Sequence, residues 1–143
     1  MKILFLAAAL LASMTHAAEQ RIECPARYPV EDIKLPETGK GDTGFVMGQL
    51  PLEGGGMATG PLAQRAELRG SERKIKSGFE TRFGFNRHED PPEKWFLCYY
   101  GAGGSVRLAR RVADTTTACT LTHEKKKKKK KFPLEPRIEI NCR

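Results

Sequence analysis

Few residues in this chain are of types that carry chemistry, and none sits in a motif with a mechanism. His88 and His123 are the candidate general bases, and Ser71, Ser77 and Ser105 the candidate hydroxyl nucleophiles. None of the serines lies in the strained strand-to-helix elbow that exposes a catalytic Ser. The densest group of ligand-type side chains is His88-Glu89-Asp90, but Pro91-Pro92 follows directly, so the stretch reads as a solvated turn. "GAGG" (101–104) lacks the strand–helix context of a phosphate loop and reads as a hairpin turn. The expectation is no catalytic residue, no metal and no cofactor.

The four cysteines, Cys24, Cys98, Cys119 and Cys142, could in principle ligate zinc or do redox chemistry, but no Cys-x-x-Cys pair is present. An even count in an exported chain reads instead as two disulfides. "TACTLTH" (Thr117 to His123) and "RIEINCR" (Arg137 to Arg143) both alternate with period two, as half-buried strands do. Pairing them as an antiparallel hairpin with Cys119 opposite Cys142 sets Leu121 opposite Ile140 and His123 opposite Ile138. One face then collects the apolar residues and both cysteines, and the other collects Thr120, Thr122, Glu139 and Asn141. A slip of one residue would destroy that segregation. Directly opposed strand residues are about 4.5–5.5 Å apart, within disulfide reach. Cys24–Cys98 follows by elimination. Each bond is expected to contribute roughly 3–4.5 kcal/mol. A Cys98–Cys119 bond is disfavoured, because a simple meander places another strand between them, a gap of about 10 Å.

Export is read from the start of the chain. Lys2 precedes an unbroken apolar run from Ile3 to Leu11, and Thr15-His16-Ala17 puts small residues where a signal peptidase cuts. The run is too short to span about 30 Å of hydrocarbon. Residues 1–17 are therefore expected to be a signal peptide cleaved near Ala17, leaving 18–143 as one β-rich domain in the periplasm or secreted. It should not span the membrane, and it is expected to be a monomer.

Charge is concentrated in one place. The chain has 25 Lys and Arg against 17 Asp and Glu, a net charge of +8. Without Lys2 and the run Lys125, Lys126, Lys127, Lys128, Lys129, Lys130 and Lys131, the two signs balance. A nucleic-acid-binding domain spreads its cations over a face with aromatics interleaved. One local run does not, and nucleic acid is excluded as a partner. The run is read as the exposed tip of the cysteine hairpin (125–131), where like charges repel and keep a segment extended.

Stepping outward, "GFETRFGF" (78–85) alternates as a strand, and "KWFLCYY", "GAGG" and "SVRLARR" read as a β-hairpin. In the expected register Tyr99 faces Val106, Leu97 faces Leu108, and Trp95 faces Arg110 in a cation–π pair. With the cysteine hairpin this makes a run of about five antiparallel strands. The first half is softer. "TGFVMGQLPL" (43–52) reads as a strand, "EGGGMATG" (53–60) as a flexible link, and "PLAQRAELRG" (61–70) has room for one short helix between Pro61 and Gly70. The fold class is mainly β: a small antiparallel meander, sandwich or open barrel stapled by two disulfides.

Ile22-Glu23-Cys24-Pro25, then Trp95, Cys98 and Tyr100, then Cys119 and the terminal Cys142-Arg143 resemble the pattern of a family of small exported proteobacterial proteins of unknown function, the STY type. The resemblance covers the start of the exported part and roughly the last fifty residues. It departs at Arg110-Arg111-Val112-Ala113, where the family has Arg-Pro-Leu-Pro. It implies export, paired cysteines and a small β fold, and supplies no activity.

The function expected is a non-catalytic binding module, with an envelope polymer, an anionic lipid headgroup or an exported protein as partner. Its candidate contacts are Lys125 to Lys131 by charge and Trp95, Tyr99 and Tyr100 by stacking. The alternatives are an enzyme inhibitor of the lysozyme-inhibitor type and a hydrolase with an unrecognised site.

Overall fold

A computed structural model describes residues 19–143 apart from 34, 36–38, 40, 42, 47 and 126–135. The expected signal peptide and the lysines from Lys126 to Lys131 lie outside the described residues.

The strands among the described residues are β1 (Gln20–Glu23), β2 (Arg27–Tyr28), β3 (Leu50–Thr59), β4 (Ser71–Ile75), β5 (Gly78–Gly84), β6 (Lys94–Tyr100), β7 (Val106–Val112), β8 (Ala118–Glu124) and β9 (Arg137–Cys142). They form two antiparallel sheets, one ordered β1-β9-β8-β5-β4 and the other β2-β3-β6-β7. β9, and β8 over Ala118–Thr122, alternate between buried and half-buried residues. Phe83, Cys119, Leu121, Ile138, Ile140 and Cys142 of the larger sheet meet Leu52, Met57, Phe96, Cys98, Tyr100 and Val112 of the smaller in one buried cluster. The result is a sandwich of open sheets, mainly β as expected.

Both expected disulfides form. Cys119 and Cys142 are paired residues of β8 and β9 with Cα atoms 4.1 Å apart, and Leu121–Ile140 and His123–Ile138 take the expected register. Cys24–Cys98 joins the end of β1 to the middle of β6, tying one sheet to the other.

Four expectations are corrected. The strands do not run as a meander: β5 pairs with β8, while the β6–β7 hairpin between them in sequence belongs to the opposite sheet. "EGGGMATG" is no link but the body of β3, paired with β6 along its length from Gly54 to Thr59. A Cβ on Gly55 would stand 2.9 Å from Ile138 Cγ2 and 3.1 Å from the Leu97 carbonyl, so glycine there admits the close approach of the second sheet. Strand structure in "TGFVMGQLPL" begins only at Leu50, where pairing with β2 starts. The expected helix is a single 3₁₀ turn, Leu62–Gln64, after which Arg65 turns left-handed (φ 52°) and residues 66–68 run beside β3.

The β6–β7 register also differs by one residue. A five-residue loop carrying Gly101, Gly103 and Gly104 at positive φ closes the hairpin at Tyr100–Val106. Tyr99 therefore faces Arg107, Leu97 faces Ala109, and Trp95 faces Arg111 in place of Arg110.

Candidate functional site: a trough on the outer face of the smaller sheet

Alternation along β6 sends Phe96, Cys98 and Tyr100 into the core and Trp95, Leu97 and Tyr99 to the outer face. Tyr100 is thus corrected as a contact residue. It is fully buried, its hydroxyl donates to the Pro25 carbonyl (2.8 Å), and its ring meets Tyr28 edge-on at 5.3 Å. Burial pushes its phenol up to about 12, with Arg110 opposing and Tyr28 reinforcing.

The outward pair are held by matching devices. The Trp95 indole N–H donates to the Gly60 carbonyl (3.0 Å), and the Arg111 guanidinium lies over its ring at 5.0 Å. Arg111 is anchored in turn by Asp114 (2.7 Å) and Glu93 (3.5 Å). Tyr99 donates to Glu67 (2.8 Å) and carries Arg107 over its ring at 4.9 Å, while Arg107 and Glu67 form an ion pair. Burial raises the Tyr99 phenol above its ordinary value. A guanidinium stacked on an aromatic and fixed by a carboxylate loses much of its freedom before any partner arrives.

Beside Arg107 and Glu67 of the Tyr99 group, and against the hairpin loop at Gly103–Ser105, the outer face holds a cavity. Leu97, Ala58 and Ala109 line it, together with Leu62 and Arg65 from the 3₁₀ turn, and its volume is about 550 Å³. Leu62 is 40% exposed, one of the few large apolar side chains left open to solvent among the described residues.

The other candidates are placed elsewhere. Lys125 is exposed at the far end of β8, where its N–H donates to the Ser77 carbonyl (2.8 Å) and ties the β8–β9 hairpin to the turn between β4 and β5. Lys125 therefore does not join Trp95 and Tyr99 in one site. His123 packs against Phe79, ring centroids 4.5 Å apart, and its pKa is lowered by burial and then by Lys125, with Glu72 opposing. His88-Glu89-Asp90 forms a turn in which Asp90 accepts from the Asn86 N–H (2.6 Å) and the His88 N–H donates to the Asn86 side chain (3.1 Å). Asp90 is thereby engaged in local structure.

Sequence reasoning missed Leu97, Ala109, Arg65, Glu67 and Arg107 as members of one surface. Arg107 and Arg111 repeat the four-residue spacing of Tyr99 and Trp95, and that signal was available once the hairpin register was right. Glu67 carried no signal, because the edge strand-like segment 66–68 falls where a helix was expected.

Residues 47–143, well over half of the chain, match the sequence model of the Type VI secretion system Tli immunity protein family. The chain belongs to that family. No curated protein and no solved structure matches it.

Proposed function

We propose, from membership of the Tli immunity family, that this chain is a non-catalytic immunity protein that acts in the periplasm by binding a toxin delivered by a type VI secretion system. The observation that carries the reading is the extent of the match, which begins at residue 47 and takes in β3 to β9, among them β3, β6 and β7 that carry the trough. The surface chemistry agrees with sequestration by contact. The outer-face aromatics and arginines are pre-stacked and stapled to a disulfide-bonded sheet, which lowers the ordering cost of association. An exported protein is thus favoured as partner over an envelope polymer or a lipid headgroup. Export itself rests on the leader at 1–17.

In this reading the lysine run from Lys125 supplies long-range attraction to an acidic toxin surface, and Trp95 and Tyr99 belong to the contact itself. The spacing pattern shared with the STY type adds paired cysteines and export to the same picture.

The test is kin intoxication. A strain lacking this gene is competed, in contact, against its type VI-active parent, with the full-length chain or a leaderless version supplied in trans. The expected result is killing of the deletion strain and rescue by the full-length chain alone. Survival of the deletion strain without complementation would remove the immunity reading.

A further inference from the structure

We infer that the trough over Leu97 is where the toxin docks, and that it receives an apolar side chain of that protein lying next to a carboxylate. The inference rests on the immunity reading for the nature of the partner, and on the site itself for the place and the chemistry.

The floor is apolar and made of small residues. Ala109 lies across from Leu97 on β7 and Ala58 across from Trp95 on β3, so small side chains adjoin Leu97 on this face, with Arg107 and Glu67 at the edge of the cavity. A concave floor of small apolar residues beside a fixed arginine–carboxylate pair can seat a single buried anchor, the kind of contact that contributes most of a binding energy.

The lip adds the charge preference. Among the lining residues the one carboxylate, Glu67, is engaged by Tyr99 and Arg107. The second guanidinium, Arg65, is exposed and makes no ion pair among the described residues. The lining therefore carries a net positive charge and one uncommitted cation, which complements a carboxylate beside the anchor.

The backbone of Arg65 is an independent sign. It is the one non-glycine residue at positive φ among the described residues (52°), a conformation that glycine adopts without cost. Strain of this kind at an exposed position collects where a side chain is needed for binding. Arg65 closes the 3₁₀ turn, its N–H donating to the Leu62 carbonyl, and it lines the cavity.

The inference is tested with full-length variants in the kin-intoxication assay, at matched periplasmic amounts of oxidised protein and with melting temperatures measured alongside. Arg65→Glu reverses the lip charge without touching the core, and Ala109→Trp fills the trough. Arg65→Lys keeps the charge, and Arg82→Glu alters an exposed cation on the larger sheet. The expected result is a loss of protection of about tenfold or more for Arg65→Glu and Ala109→Trp, a smaller loss for Arg65→Lys than for Arg65→Glu, and protection like the wild type for Arg82→Glu. Full protection by both Arg65→Glu and Ala109→Trp would overturn the trough assignment while leaving immunity intact. An equal loss in Arg82→Glu would overturn it too, because the effect would then be general to surface charge. Failure of the wild-type chain to protect is a different outcome and removes the immunity reading on which the assignment rests.

Discussion

The hydroxyl end of Tyr99 occupies the space that a Cβ on Gly56 would take, so the phenol crosses the backbone of β3 to reach Glu67 on its far side. The glycine-rich sequence of β3 is thus part of the outer surface: it provides the bare backbone on which the Tyr99–Arg107–Glu67 group lies.

That relationship predicts strong coupling. Gly56→Ala in the wild-type background displaces the tyrosine and should destabilise by about 1–3 kcal/mol, the usual cost of overpacking. In a Tyr99→Ala background the same change meets no ring, and its cost should fall close to zero. Urea denaturation of the four proteins checks this. Additive effects would mean that Tyr99 does not lie over Gly56.

The two disulfides should differ in worth. Cys24–Cys98 closes a sequence separation of 74 residues and Cys119–Cys142 one of 23. Chain entropy gives about 4.5 kcal/mol for the first and about 3.5 kcal/mol for the second. Replacing each pair by alanine and comparing denaturation midpoints should place the Cys24/Cys98 variant lower. It should also loosen the two sheets from each other, because this bond alone crosses between them.

His123 sets an acid limit. Its folded pKa lies below the ordinary value near 6.5, so the unfolded chain takes up the proton first as pH falls. Stability is therefore unaffected by this group well above 6.5 and declines as pH drops through 6.5 toward the folded pKa. His123→Gln should lose less stability than the wild type between about pH 7.5 and about pH 5. Identical slopes for the two proteins in that interval would contradict it.

Tyr100 sets an alkaline limit with the opposite sign. With the phenol raised from 10.0 to about 12, the folded protein keeps its proton when the unfolded chain has lost it. The contribution is whole below pH 10 and disappears as pH rises through about 12. Tyr100→Phe should remove that alkaline loss and, by orphaning the Pro25 carbonyl, cost about 1–3 kcal/mol at neutral pH. Phenolate absorbance against pH, with melting temperature, reads both effects.

How much of this was legible in the sequence differs by element. The β8–β9 hairpin could be registered residue by residue, because its alternation is clean and two cysteines pin it. The partition into two sheets could not. "GFETRFGF" and "KWFLCYY" look alike as strands, and only the long-range pairing of Phe83 with Cys119 and of Met57 with Phe96 assigns them to opposite layers. β3 was hidden for a chemical reason. "EGGGMATG" has no propensity for a strand, and its glycines are explained only by Tyr99 on one face and Ile138 on the other. The aromatic cluster was found, yet its facing depends on alternation about Leu97, which separates Trp95 and Tyr99 from the buried Tyr100. The resemblance through Trp95, Cys98 and Cys142 indicated a small cysteine-paired β protein without a partner. The proposal of an exported toxin as partner comes from the family match over 47–143.

The most direct test of the central proposal, inhibition by binding without catalysis, is a titration of the toxin identified by kin intoxication with the oxidised exported chain. The account predicts that toxin activity falls linearly with added protein and vanishes at an equimolar ratio, whatever the incubation time. Inactivation by a small fraction of an equivalent, deepening with time, would mean turnover and would contradict it.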